Sequence, residues 1–329
     1  MVKAIGLLSG GLDSILAVKV IIELGIEVQT LNFVTPFCTC TKKGCQNQAR
    51  LVAERFSVPL KTVGFSGEYI ELVKHPRFGY GRNMNPCIDC RIFMFSKARD
   101  YMNEVGASFV FTGEVLGERP MSQMRDTLRI IEKESGLEGR LLRPLSAKLL
   151  PPTVPEQQGI VDREKLLSIS GRSRKPQIAL AREFEISDYP CPAGGCKLTD
   201  PQYARRLREA LEHNEDSLAE IQLLSIGRHF RLISGAKAIV GRNEEENTLL
   251  KTFSRDGDVI LEVIGFVGPV TLVRKKQEFF PDDINTAAGL CVRFSDYKNP
   301  EPVAVSVGGN DIMLVTPLVD ELVEKLRIR

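Results

Sequence analysis

The stretch KAIGLLSGGLDSILAVKV, residues 3–20, decides how the first half of this chain is read. Lys3–Leu8 has the apolar texture of a short buried strand. Ser14–Leu24 places Leu16, Val20, Ile21 and Leu24 on one face of a helix. Between them lie Ser9, Gly10, Gly11, Leu12 and Asp13. Glycines between a strand and a helix aim bare backbone N–H groups at whatever sits above the helix, and the positive helix end favours an anion, most often phosphate. A plain strand-to-helix turn is the competing reading. Two glycines flanked by two hydroxyls and a carboxylate make it the weaker one. G-x-x-x-x-G-K-[ST] and G-x-G-x-x-G are both absent here. No lysine covers the phosphates, so Asp13 beside them calls for Mg²⁺ between carboxylate and phosphate.

Working outward, strand candidates recur at Val28–Phe33, Leu60–Val63, Ser108–Thr112 and Leu141–Arg143, with helices at Gln46–Phe56 and Asp89–Val105 among them. The alternation predicts an α/β fold, a doubly wound parallel sheet with helices on both faces. Ligands bind such sheets beyond the carboxyl ends of the strands. Pro151-Pro152 and Pro155 break the pattern, and residues 155–185 read as mainly helical and basic. Two amphipathic helices follow near 201–213 and 216–225. From residue 228 short strands return at Phe230–Ile233, Lys237–Val240, Val259–Ile264, Val270–Val273, Leu290–Phe294, Val303–Val307 and Ile312–Val315, before a closing helix from Pro317. The expected organisation is a first domain over 1–168, a basic helical extension over 169–227 and a small α+β domain over 228–329.

The 329 residues allow two or three domains. Hydrophobic and charged contents of 43% and 26% fit a soluble globular protein. The first residues do not read as a signal peptide, and no apolar stretch is long enough to span a bilayer. No membrane association and a cytoplasmic location are expected. A net charge of +2 identifies no nucleic-acid binder by itself. Arg163, Lys165, Arg172, Arg174, Lys175 and Arg182 nevertheless crowd one segment, which suits a solvated basic face or an RNA-facing one.

Eight cysteines without a secretory signal point to metal or catalytic thiols in a reducing compartment. His75, His213 and His229 form no evident metal set. Cys87 and Cys90 form a C-x-x-C in NPCIDCR, and Cys191 and Cys196 bound CPAGGC. Cys38, Cys40 and Cys45 follow the second strand. Four thiolates from the first two pairs suit structural zinc, the commoner outcome for a closed site, or an iron–sulfur cluster. Metal thiolates on the same sheet edge as a nucleotide loop favour sulfur chemistry over stapling. Cys291, inside a probable strand, reads as a small buried hydrophobe.

SGGLDS resembles the pyrophosphate loop of the PP-loop ATP pyrophosphatases, whose members cleave ATP between the α- and β-phosphates and adenylate an oxygen of a substrate. NPCIDC resembles the cysteine motif of tRNA 2-thiouridylases and of related enzymes that carry a [4Fe-4S] cluster. TGEVLGERPMSQ, residues 112–123, and then Arg143-Pro144-Leu145 look like the nucleotide-site motifs of tRNA 4-thiouridine synthetases. SGRSRKPQIALA, residues 170–181, is similar to a basic helix those enzymes place over the active site. HFRLISGAKAIVGRNEEENTLL and AAGLCVRFSD resemble the RNA-binding domain of NFACT proteins. The amino-terminal RNA-binding domains and the rhodanese-like domain of the 4-thiouridine synthetases have no counterpart in this sequence.

The resemblance implies an ATP-dependent tRNA sulfurtransferase that adenylates a uracil carbonyl oxygen and lets sulfur displace AMP. ATP would be held by Ser9, Gly10, Gly11, Ser14, Asn32, Phe33, Thr112 and Gly113, with Asp13 binding Mg²⁺. Cys87, Cys90 and Cys196, with Cys191 as a fourth, would hold a [4Fe-4S] cluster. Zn²⁺ is the alternative metal, and a persulfide on Cys90 or Cys196 the cluster-free route, helped by a low thiolate pKa near Arg172 or Arg174. Catalysis is assigned to Asp13, Cys90 and Cys196. RNA contact is assigned to Arg172, Arg174, Lys175, His229, Arg231, Arg242 and Asn243. The partners are tRNA and a sulfur donor, sulfide or a cysteine-desulfurase persulfide. TGEVLGERPMSQ leans towards the 4-oxygen of uridine and NPCIDC towards the 2-oxygen. A PP-loop ligase acting on a small molecule and a zinc-stabilised RNA-binding factor are the rival readings. Oligomeric state is not legible.

Overall fold

The computed structural model describes residues 2–38, 45–65, 67–187, 189, 195–275 and 280–328. The chain divides into two compact units, Met1–Asp200 and Pro201–Arg329. Residues 169–227, expected as one basic extension, are therefore shared between the units.

In the first unit, β1 (Lys3–Leu7), β2 (Glu27–Val34), β3 (Leu60–Gly64), β4 (Phe109–Thr112) and β5 (Leu141–Leu142) form one sheet in the order β3-β2-β1-β4-β5. Every pairing is parallel. This is the expected doubly wound α/β arrangement, and its strand order reverses between β1 and β4, where such sheets open a ligand crevice. Helices α1 (Leu12–Glu23), α2 (Cys45–Arg55), α3 (Gly67–Lys74), α4 (Cys87–Glu104) and α5 (Arg125–Glu134) link the strands. Side-chain alternation sorts them onto two faces. Ala4, Leu8, Phe109 and Phe111 pack with Ile15, Leu16 and Val18 of α1. Ile5, Leu7, Leu31 and Val110 pack with Phe95, Ala98 and Met102 of α4 and Ile131 of α5. Gly6 lets Phe111 cross β1, since a Cβ there would lie 2.4 Å from the ring.

The segment after β5 is far less helical than expected. Among the described residues, the stretch 155–185 holds only α6 (Val154–Gln157), a 3-10 turn at Arg163–Lys165 and α7 (Lys175–Glu183). Pro155 sits in the first turn of α6, where proline is tolerated, and Gly159 and Gly171 take left-handed conformations that end local structure. Arg163 is not a surface cation: it pairs with Glu156 and donates to the Ala147 and Leu150 carbonyls.

The second unit holds α8 (Pro201–Glu212), α9 (Leu218–Leu223), β6 (Arg228–Arg231), β7 (Lys237–Val240), α10 (Glu244–Phe253), β8 (Val259–Val263), β9 (Thr271–Arg274), α11 (Pro281–Arg293), β10 (Val303–Val307), β11 (Asp311–Val315) and α12 (Asp320–Leu326). Its six-stranded antiparallel sheet runs β11-β10-β8-β9-β7-β6. The segment Leu290–Phe294, read as a strand, ends helix α11 instead. Asp282 and Asp283 in the first turn and a proline at the start favour a helix, and Ala287, Ala288 and Cys291 recur at helical spacing. Cys291 is buried as expected, its thiol donating to the Pro269 carbonyl at 3.3 Å. Gly241 in IVGRN has a packing cause. A Cβ there would sit 2.0 Å from the Asn247 side-chain oxygen, which accepts a hydrogen bond from the Val270 N–H at 2.9 Å.

Candidate functional site

The glycine loop of residues 9–13 follows β1 at the switch point. Gly10 has φ +80°, a conformation that L side chains resist. Gly11 caps α1, and no side chain among the described residues caps that helix end. Its first-turn N–H groups thus point out of the loop. Ser14 Oγ donates to the Gly11 carbonyl at 2.8 Å and lies 3.2 Å from Ser9 Oγ, so the two hydroxyls brace the loop. Thr112 ends β4 beside Leu7. Gly113 comes so close to α1 that a Cβ would lie 2.4 Å from the Asp13 carbonyl. β1 pairing stops at Leu7–Leu31, so β2 runs three residues farther and forms a ledge at Asn32 and Phe33. Asn32 is buried, and its side-chain amide donates to the Leu8 carbonyl at 2.8 Å, fixing the strand end just before the loop. Phe33 stacks on Phe65.

Asp13 is the charged member of this loop. Its Oδ1 is buried with no hydrogen-bond partner among the described residues. Burial, and then the neighbouring Glu118 charge, push its pKa up to about 6, while Arg174 and Arg119 pull the other way. An orphaned carboxylate oxygen at a phosphate loop fits a cation arriving with its nucleotide.

The thiols gather at the same sheet edge, but not from a loop as expected. Cys87 and Cys90 occupy the first turn of α4, three residues apart and therefore on one face. Asp89 between them accepts from the Arg77 and Phe78 N–H groups at 2.9 and 3.1 Å and ties the preceding loop to the helix. Tyr69 donates to Cys90 Sγ at 3.1 Å. Cys196 arrives through backbone contacts: Met84 N–H donates to Leu198 at 3.1 Å, and the Asn83 amide to Thr199 at 2.7 Å. Cys38 and Cys196 face each other in an antiparallel bridge, with Lys197 N–H donating to Phe37 at 2.7 Å. Cys191 and Cys40 lie outside the described residues, as does the Cys45 side chain.

The thiol pKa values run opposite to the expectation of a lowered one. Burial pushes Cys196 up to about 12, with the neighbouring Cys90, Cys87 and Cys38 adding to the rise. Burial also raises Cys87 and Cys90, against the pull of Arg91. Arg174 lies instead 3.6 Å from Asp13 in the glycine loop. Half-buried thiols that crowd one another suit metal ligation, in which the cation itself drives off the protons. Among the described residues, no three Cys, His, Asp or Glu side chains are already drawn into a metal-binding group.

Sequence reasoning missed the residues that join the two halves. Arg91, next to Cys90, lies 3.4 Å from Glu114, next to Gly113. Glu114 is buried and also pairs with Arg143 at 3.2 Å, which reaches Glu132 at 3.0 Å. The motifs TGE and RPL contain Glu114 and Arg143, but nothing local assigns them to each other.

The RNA-contact residues separate into two kinds. Arg172 and Lys175 are exposed. His229 is buried against the Ile226 carbonyl at 2.8 Å, and its pKa is driven down by burial and then by Lys237 and Arg206. Arg231 is locked to Glu209 and Glu215, Arg242 pairs with Glu246, and Asn243 caps α10. His229 and Arg231 are thus structural groups of the second unit.

Residues 2–148 match the family model described as thiamine biosynthesis protein (ThiI), and residues 227–327 match that of the NFACT protein RNA binding domain. The resemblance carried by the motifs is thereby matched at both ends of the chain. The tRNA-specific 2-thiouridylase MnmA of Pseudomonas putida (strain GB-1) is 25% identical over 244 residues, covering 67% of this chain and 63% of that protein. MnmA of Coxiella burnetii (strain Dugway 5J108-111) is 37% identical over 123 residues, covering 34% of this chain and 33% of that protein. The chain therefore spans 63% of the length of the first of these relatives. A solved 4-thiouridine synthetase–RNA complex with bound ATP aligns at a TM-score of 0.39 and 22% identity, covering 67% of this chain and 52% of that one. No helix among the described residues is long and apolar enough to cross a membrane.

Proposed function

We propose that this protein is an ATP-dependent, AMP- and pyrophosphate-forming sulfurtransferase acting on a uridine of tRNA. The single observation that carries the reading is the joining of a glycine loop at a helix start to a group of half-buried thiols by the Arg91–Glu114 pair. A nucleotide loop alone suits any adenylating ligase. A thiol group alone suits structural zinc. Placed together, they suit activation of an oxygen followed by its replacement with sulfur.

A uracil carbonyl oxygen is a poor leaving group. Ser9, Gly10, Gly11 and Ser14 would hold the phosphates, Gly113 would admit them close to α1, and Asn32 and Phe33 would form the ledge for adenine. Mg²⁺, held by Asp13, would supply positive charge where negative charge builds on the phosphates. The uracil oxygen would attack the α-phosphorus and pyrophosphate would leave, so that the oxygen carries AMP. Sulfur attack on the ring carbon would then expel AMP together with that oxygen. Cys87, Cys90 and Cys196, with Cys191 as a possible fourth thiolate, would hold a [4Fe-4S] cluster. Such a cluster would supply an iron open to sulfide. A persulfide on Cys90 or Cys196 is the alternative carrier. Sulfide would be the donor to a cluster, whereas a cysteine persulfide would take its outer sulfur by exchange from a desulfurase persulfide.

The match of residues 227–327 to an RNA-binding domain supports a carboxy-terminal grip on tRNA. Exposed Arg172 and Lys175 would add phosphate contacts. The cytoplasm is the proposed setting. The test is mass spectrometry of tRNA nucleosides from cells with and without the gene. Loss of one thiouridine, restored by the wild-type protein and not by Asp13→Asn, supports the reading. An unchanged nucleoside profile rejects it.

A further inference from the structure

Arg174 stands between two acids. Its guanidinium donates to Glu118 Oε1 at 3.0 Å and lies 3.6 Å from Asp13 Oδ2. The three residues come from separate segments: Asp13 from the first turn of α1, Glu118 from the loop after β4, and Arg174 from the residue that caps α7. The Glu118 side chain is only 9% exposed and that of Asp13 17%, so bulk water does little to screen either. A second observation points to a missing occupant. Gln177, one turn into α7, is wholly buried, and its amide lies against Asp13 without a well-formed hydrogen bond to it. Asp13 Oδ1 is buried with no partner either. Two sequestered acids share Arg174, with Arg119 also near enough to act on both, yet the Asp13 Oδ1 and Gln177 polar atoms beside them stay unsatisfied among the described residues.

We propose that Glu118 is a second carboxylate of the magnesium site, and that Arg174 holds Asp13 and Glu118 together until the metal–nucleotide complex arrives. This rests on reading the loop as an ATP site. Mg²⁺ is commonly held by one or two carboxylates plus substrate phosphates, so Asp13 and Glu118 would complete that set without further protein ligands. Cation entry would release Arg174, which would then stand beside the phosphates as a positive group at the mouth of the loop. Arg174, expected to face RNA, would thus act on the nucleotide.

The test uses the full-length protein, Mn²⁺ as a paramagnetic probe and α,β-methylene-ATP, whose α–β bridge resists cleavage. Electron paramagnetic resonance reads Mn²⁺ binding with the analogue present, and a separate titration in EDTA reads metal-free binding. Glu118→Gln should weaken Mn²⁺ binding by about tenfold or more without weakening metal-free nucleotide binding. Glu118→Asp should recover part of the loss. Arg174→Gln should retain Mn²⁺ binding and weaken the metal-free complex. The melting temperature of each variant, measured alongside, reports whether it folds. Wild-type Mn²⁺ affinity in a folded Glu118→Gln, or equal losses with and without metal, overturns the proposal while the ATP reading stands. Failure of the wild-type protein to bind the analogue at all overturns both.

Discussion

Arg91 Nε lies 3.4 Å from Glu114 Oε1, and this contact joins the helix that carries Cys87 and Cys90 to the strand end that carries Thr112 and Gly113. Glu114 is also the partner of the buried Arg143. Replacing Glu114 by Gln strips two guanidinium groups of one counter-charge in a place water barely reaches. We expect a loss of roughly 2–4 kcal/mol in folding free energy, read from the urea midpoint. A loss below about 0.5 kcal/mol, the size typical of an ordinary surface change, would mean the pair does not hold the two halves together.

Gly113→Ala asks whether the close approach to α1 is needed. The added methyl would meet the Asp13 backbone at 2.4 Å, so the loop must move. Overpacking of this kind costs about 1–3 kcal/mol. Nucleotide affinity, measured by calorimetry on the folded variant, should fall by more than about tenfold, the equivalent of ~1.4 kcal/mol. Unchanged affinity would separate Gly113 from the nucleotide site.

Asp13 makes a pH signature. Its folded pKa of about 6 lies above the ordinary 3.8, chiefly through burial. A carboxyl raised by folding destabilises the folded chain above about pH 6, where it is charged in both states, and the cost fades as pH falls towards 4. Asp13→Asn should therefore stabilise the protein at pH 8 by roughly 1–2 kcal/mol and leave it unchanged near pH 4. Magnesium–nucleotide binding to the wild type should weaken as pH drops through 6, because a protonated Asp13 carries no charge for the cation. A pH-independent difference between the two proteins would contradict this account of Asp13.

The basic residues should not behave alike. Arg172→Glu and Lys175→Glu should weaken tRNA binding and flatten its salt dependence, each by roughly one unit of slope per lost contact. His229→Ala removes a buried ring hydrogen-bonded to Ile226. It should cost about 1–3 kcal/mol of stability and leave the salt slope intact. Equal salt slopes for all three variants and the wild type would remove Arg172 and Lys175 from the interface.

What the sequence made legible follows from how local each signal is. SGGLDS sits between adjoining elements, so its glycines, hydroxyls and carboxylate announce the loop without tertiary information. Alternating short apolar runs gave the parallel sheet for the same reason. Leu290–Phe294 was misread because a short apolar run suits a strand or a buried helix equally, and the helical evidence at Asp282 and Asp283 lies a full two turns upstream. The segment 155–185 reads as mainly helical and basic, while Gly159 and Gly171 at positive φ interrupt it. Arg91–Glu114, Arg174–Glu118 and Arg231–Glu209 were invisible because each joins residues 22 or more positions apart. Arg231 and His229 are assigned to RNA by the NFACT resemblance, and a residue on a strand carries no mark of which side of the sheet it faces. Cys196 could be grouped with Cys87 and Cys90 by motif, but the Met84–Leu198 and Asn83–Thr199 contacts that bring it there leave no sequence trace.

The most direct measurement follows the fate of the uracil oxygen. A tRNA made with ¹⁸O in the uracil carbonyls is incubated with ATP, Mg²⁺, sulfide and the anaerobically purified protein, and both AMP and nucleosides are analysed by mass spectrometry. Our account predicts one ¹⁸O in the AMP for each thiouridine formed, because the departing oxygen leaves bonded to phosphorus. Thiouridine accompanied by unlabelled AMP, or ATP consumed to ADP, would contradict it.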